Sequence, residues 1–212
     1  MNKQPQIPLD LSPQPRHLFS NLLISGSNAA AVKTLKAWPD WPSPILLLMG
    51  PQGSGKTHMG QAWAAETKGV FVDNAASVNE AELFNIMNQA LNGEVKGLLL
   101  ADRMLPSEWD IKLPDLVSRL KNTPRIMVEE PDDDILEPII RRLFEDQGRV
   151  VSQDLIAYLL KYHERSVVAQ REIVMALEAA AQGQKVDLTK AFAAKFLKAR
   201  SEGDLFAVPG EE

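Results

Sequence analysis

The sequence predicts an α/β fold: a parallel sheet carrying a phosphate-binding loop, followed by a small all-helical domain. Three observations carry that prediction. Short apolar runs alternate with amphipathic stretches over residues 17–130, the stretch GPQGSGKT follows the run ILLLM directly, and strand-like runs stop after Pro131. Alternating strand and helix signals build parallel sheets with crossover helices, and a glycine-rich turn between strand and helix is the context a phosphate-binding loop requires.

Residues 1–16 hold four prolines (QPQIPLDLSPQPR), a composition that suits an extended, flexible arm. Within residues 17–130, Ile45 to Met49, Val70 to Val72, Leu98 to Leu100 and Arg125 to Val128 read as strands. Over residues 131–200, segments starting near Asp132, Ser152, Ser166 and Leu188 show helical spacing, with acidic or hydroxyl residues placed to satisfy the free N–H groups of a first turn. Residues 201–212, SEGDLFAVPGEE, read as a frayed tail.

A chain of 212 residues with 45% hydrophobic and 24% charged residues has material for one or two small domains. Its net charge of −5 argues against a surface built mainly to neutralise phosphate backbones, while leaving room for a local basic patch and weak DNA binding. No apolar run approaches the ~20 residues of a membrane-spanning helix, and the start MNKQPQ lacks the apolar core of a secretory signal. With no cysteine, disulfides and thiolate metal sites are excluded, and a cytoplasmic location is the simple expectation.

The loop Gly50, Pro51, Gln52, Gly53, Ser54, Gly55, Lys56, Thr57 fits GxxxxGK[ST]. Its glycines let backbone N–H groups curl around phosphate oxygens, and the following helix adds its positive N-terminal end. Lys56 is placed to neutralise β- and γ-phosphate oxygens, and the Thr57 hydroxyl to reach Mg²⁺. His58 adjoins the loop as a packing or hydrogen-bonding residue rather than a catalyst. A Mg²⁺-dependent hydrolase also needs an acid at a neighbouring strand end. Asp73 in GVFVDNAA and Asp102 in GLLLADRM both qualify, but neither has an adjacent carboxylate. Asn74, beside Asp73, can position water yet cannot accept its proton.

HLFSNLLISGSNAAAVKTLKAWPDWPSPILLLMGPQGSGKTH, LLLADRMLPSEWDIKLPDLVSRL, EPDDDILEPIIRRLF and YLLKYHERSVVAQREIVMALE together closely resemble the Hda (HdaA) family of bacterial replication regulators, relatives of the initiator DnaA. The resemblance spans nearly the whole chain. It implies an AAA+ P-loop domain over residues 17–130 and a helical lid over 131–200. It also implies a Walker B strand ending at Asp73 toward the metal, a sensor 1 strand with Asp102 as its polar residue, an arginine finger at Arg119, and a sensor 2 residue at Arg171. Leu23 and Ile24 precede the first helix, where such relatives build part of an adenine pocket. In the arm, Gln6, Ile7, Leu9 and Leu11 resemble the short peptide that holds the DNA sliding clamp: a glutamine for the rim of a groove and aliphatic side chains for its floor.

The chain departs from that family between Thr67 and Val70, where relatives place a further strand and helix. A sheet of four parallel strands is therefore expected instead of five, with an open edge where chains can pair. Either VFVDN is the Walker B strand, or it is the outer strand and LLLAD carries both roles. The resemblance implies a nucleotide-holding regulator with ADP or ATP and Mg²⁺ as ligands, the sliding clamp and DnaA as partners, and stimulation of hydrolysis of DnaA-bound ATP; the open edge adds a homo-oligomer as a further form. An autonomous Mg-ATPase using Asp73 is the first alternative, and a DnaA-like DNA-binding initiator fragment the second.

Overall fold

A computed structural model describes residues 18–184 and 186–201. The elements run α1 (Ala29–Lys36), β1 (Ile45–Met49), α2 (Lys56–Thr67), β2 (Val70–Val72), α3 (Glu80–Leu91), β3 (Leu98–Asp102), α4 (Pro114–Asn122), β4 (Arg125–Met127), α5 (Asp133–Glu145), α6 (Gln153–Tyr162), α7 (Val167–Gln184) and α8 (Lys190–Ser201). Short 3₁₀ turns at Phe19–Asn21, Ala75–Ser77 and Pro106–Glu108 punctuate the connections.

The four strands form one sheet in the order β2-β3-β1-β4, and every pairing is parallel. The four-stranded expectation holds. β3 runs two residues further than its apolar core Leu98 to Leu100, because Ala101 and Asp102 continue the ladder against Leu48 and Met49. β4 stops one residue earlier than its apolar run, at Met127.

β1 and β3 are buried along their whole length, as central strands covered on both faces must be. Side chains alternate across the sheet. Leu46, Leu48, Leu99 and Ala101 join α1 and α2 on one face, where Trp63 stacks on Trp41 at 5.1 Å. Ile45, Leu47, Met49, Leu98 and Leu100 join α3 and α4 on the other. A third core lies wholly within the C-terminal helices, around Leu136, Ile140, Phe144, Leu155 and Leu177. These helices start where capping side chains permit: Asp132 accepts from Ile135 N, and Ser152 from Leu155 N. No helix among the described residues is long and apolar enough to cross a membrane.

Candidate functional site

The loop after β1 is shaped by backbone conformations that favour glycine. Gly53 and Gly55 sit at φ +74° and +91°, in the left-handed region where a Cβ is strained. A Cβ on Gly50 would come within 2.5 Å of the Val128 carbonyl oxygen. Lys56 opens α2 and folds back, its Nζ donating to Gly50 O at 2.9 Å and Pro51 O at 2.7 Å. Burial lowers the Lys56 pKa, with Asp73 and Asp102 opposing and Arg103 assisting. An anion in the loop would repay that desolvation by restoring a counter-charge. Ser54 Oγ is buried in the loop with no hydrogen-bond partner. Pro51 and His58 are half-buried, and Gln52 is exposed.

The two candidate acids have different surroundings. Thr57 Oγ1 donates to Asp73 Oδ2 at 2.6 Å, and both side chains face solvent. Asp73 Oδ1 accepts from Asn74 N, and Asn74, at φ +51°, turns the chain into Ala75–Ser77. Asp102 is 3% exposed and serves the backbone: Oδ1 accepts from Arg103 N and Met104 N, and Oδ2 from Ala76 N at 2.8 Å. It ties the end of β3 to the turn after β2. A hydroxyl beside an accessible carboxylate suits a hard divalent cation that keeps most of its water and phosphate ligands. A buried carboxylate already accepting three N–H groups does not, so the geometry favours Asp73 for that role. Among the described residues no cluster of three or more His, Cys, Asp or Glu could hold a metal by itself.

The helical region touches the same loop. Val167 N donates to Gly53 O at 3.4 Å, and a Cβ on Gly53 would meet Ser166 Cβ at 2.6 Å. Ser166 Oγ accepts from Ala169 N, so the residue that caps α7 also seats it on the loop. A serine before an apolar run is a legible helix start, whereas its contact with the loop had no sequence signal. Arg171 is exposed and, at ~100° per residue, lies about 140° round the helix from Ser166. Leu23 and Ile24 are 43% and 52% exposed. They lie on the segment whose Ser27 O accepts from Glu129 N, beside the connection between β4 and α5. Asp132 joins the two by accepting from Ser27 N, and its pKa is held below the usual carboxylate range chiefly by the Ser25 hydroxyl.

Arg119 stands elsewhere, in the last turn of α4, which leads into the start of β4. Its Nη1 donates to Asn88 Oδ1 at 2.6 Å, and its guanidinium lies 4.7 Å from the centre of the Phe84 ring. Beside it opens a cleft of about 220 Å³ whose lining includes Ser43, Ile45, Met87 and Leu91. Ile45 opens β1 and Met49 closes it before the loop, a span of about 13 Å at ~3.3 Å per residue. Arg119 thus faces the opposite end of the sheet from Lys56. Gln6, Ile7, Leu9 and Leu11 lie outside the described residues, as does the tail from residue 202.

No model of a known protein family matches the chain, and no curated protein sequence matches it. Solved structures do. Domain III of the replication initiation protein DnaA from Thermotoga maritima superposes with a TM-score of 0.67 at 16% identity, covering 88% of this chain and 98% of that one. The fold is that of an AAA+ module. A replication initiator DnaA bound to AMPPCP and single-stranded DNA gives 0.61 at 18% identity, over 89% of this chain and 70% of that one. The Thermotoga maritima RuvB Holliday junction branch migration motor gives 0.55 at 16% identity, over 73% and 61%. With the initiator structures the chain shares the fold: a parallel sheet, here four-stranded, and a helical C-terminal region.

Proposed function

We propose that the chain is a nucleotide-holding AAA+ regulator of replication initiation that binds the DNA sliding clamp and promotes hydrolysis of ATP bound to DnaA. The observation carrying this reading is the division between the two ends of the sheet. The loop end gathers Lys56, Thr57 and Asp73, a donor set that fits a Mg²⁺-bound ADP or ATP. Arg119 projects from the far end, where it cannot serve that site.

A bound nucleotide with Mg²⁺ supplies phosphate charge and a cation that polarises phosphoryl oxygens. The loop N–H groups would cradle the phosphates, Lys56 would exchange its two carbonyl partners for phosphate oxygens, and Thr57 and Asp73 would face the cation. Leu23 and Ile24 offer apolar surface to a base beside the β4–α5 connection, and Arg171 would be the sensor 2 residue of the helical lid. Asn74 cannot accept a proton from water, so the chain's own site is built for retention. Arg119 would instead stabilise charge on the phosphoryl group transferring in a neighbouring module, as fingers supplied in trans do. The arm residues Gln6, Ile7, Leu9 and Leu11 would recruit the clamp, in the cytoplasm.

The test is clamp-dependent hydrolysis of DnaA-bound ATP. Arg119→Ala should lose stimulation by roughly 10³-fold or more, and Arg119→Lys should do little better, since an ammonium has no planar fork. Both should keep nucleotide and clamp binding, whereas deletion of residues 1–11 should lose the clamp and leave nucleotide affinity unchanged. Full stimulation by either Arg119 variant would move the finger elsewhere, with Arg125 the next to examine.

A further inference from the structure

Arg119 is held by its own chain in an unusual way. Three other arginines form ion pairs: Arg141 with Glu137, Arg149 with Glu178 and Arg165 with Asp133. Arg119 has only neutral partners among the described residues, an amide oxygen and an aromatic face. Phe84 and Asn88 are four residues apart on α3 and therefore lie on one face of it. The guanidinium lies over the ring face and the amide takes one of its N–H groups, which leaves four of its five donors uncommitted to Asn88. At the base of the helix, the Arg119 carbonyl accepts from Thr123 Oγ1 at 2.9 Å, fixing the backbone that carries the side chain.

A carboxylate at position 88 would bind the guanidinium more strongly and would also neutralise it. The neutral pair orients the side chain and leaves its charge available. From this we infer that Phe84 and Asn88 are positioning residues for Arg119, holding it pre-oriented toward the triphosphate of a neighbouring AAA+ module. The inference rests on the proposed role of Arg119 and adds the element that aims it. Pre-orientation removes the cost of ordering a long, rotamer-rich side chain at the moment of docking, and small misplacements of a charged group cost rate steeply.

The experiment uses the full chain in the clamp-dependent assay of DnaA-bound ATP hydrolysis, with Tm and clamp affinity measured alongside. Asn88→Ala and Phe84→Ala should each lower the maximal stimulated rate by roughly ten- to a hundredfold, while the concentration giving half-maximal stimulation stays within about twofold. Phe84→Tyr, which keeps the ring face, should retain stimulation. Asn88→Asp separates positioning from simple packing: it keeps or raises Tm by pairing with Arg119, yet should lose stimulation because the charge is neutralised. Should Phe84→Ala fail to fold, the two Asn88 variants decide. Stimulation undiminished in Asn88→Ala and Asn88→Asp, with Arg119→Ala inactive, would overturn the positioning role alone. Stimulation undiminished in Arg119→Ala would remove the reading beneath it.

Discussion

The two ends of the sheet are built from different materials. At the loop end, the arrangement rests on backbone: glycines at positive φ, a helix N-terminus, and side chains within eight positions of β1, with Asp73 arriving from the next strand. At the far end it rests on side chains from separate helices, with Arg119 and Asn88 separated by 31 positions. Backbone cradles hold a ligand whose charge is already present, while a stacked guanidinium can be offered to charge that develops elsewhere. On the proposed reading, the first end holds one nucleotide and the second acts on another.

The largest expected effect breaks the loop end. With nucleotide at ~100 times its Kd, ligand binding stabilises the native state by about 2.7 kcal/mol, or about 5–11 °C of Tm for a chain of this size. Lys56→Ala should abolish that rise and leave the nucleotide-free Tm within about a degree or two, because the ammonium is partly desolvated when only loop carbonyls face it. Differential scanning fluorimetry with and without nucleotide checks this. An unchanged ligand-induced rise would remove the loop from the account.

The contact between the helical region and the loop can be isolated at Gly53. Gly53 and Gly148 share nearly the same φ, +74° and +75°, but a Cβ on Gly148 meets nothing within 4 Å while one on Gly53 meets Ser166. Alanine at either site carries the same left-handed penalty, about 1–2 kcal/mol. Gly53→Ala should lose a further ~1–2 kcal/mol by dislodging α7 from the loop, with faster amide exchange at Val167. Equal losses at the two sites would mean the contact contributes nothing.

These differences also explain what could be read in advance. The strands, their parallel arrangement and the loop were legible because they depend on local pattern: apolar runs of five residues at Ile45–Met49 and four from Leu98, and a glycine-rich turn before a helix. The four-stranded sheet was legible from the short link between α2 and Val70. The residue pattern alone left Asp73 and Asp102 both open, since both end apolar runs, and the family resemblance implied Asp73 for the metal. The three backbone N–H groups on Asp102 and the hydroxyl on Asp73 distinguish them. Ser166 against Gly53, and Phe84 with Asn88 around Arg119, join residues remote in the chain and have no local pattern to announce them.

A smaller effect concerns the helical region alone. Burial lowers the His163 pKa, with Arg200 assisting and Glu164 and Glu172 opposing. The unfolded chain therefore binds this proton more readily, so the stabilising contribution is present above the ordinary histidine pKa and is lost as pH falls through it. Tm should decline on acidification from about pH 7 to pH 5.5, and His163→Gln should flatten that part of the profile. An unaltered slope would assign it to other groups.

The most direct measurement is steady-state phosphate release by the isolated chain with Mg-ATP, made alongside a count of nucleotide retained per chain. Separation of Arg119 from Lys56, Thr57 and Asp73 predicts about one nucleotide held per chain and turnover on the order of 10⁻³ s⁻¹ or slower, the range of P-loop sites that lack a finger. Sustained turnover of order 1 s⁻¹ or faster by the monomer would show that the loop end spends its nucleotide unaided, and would contradict the division of labour between the two ends.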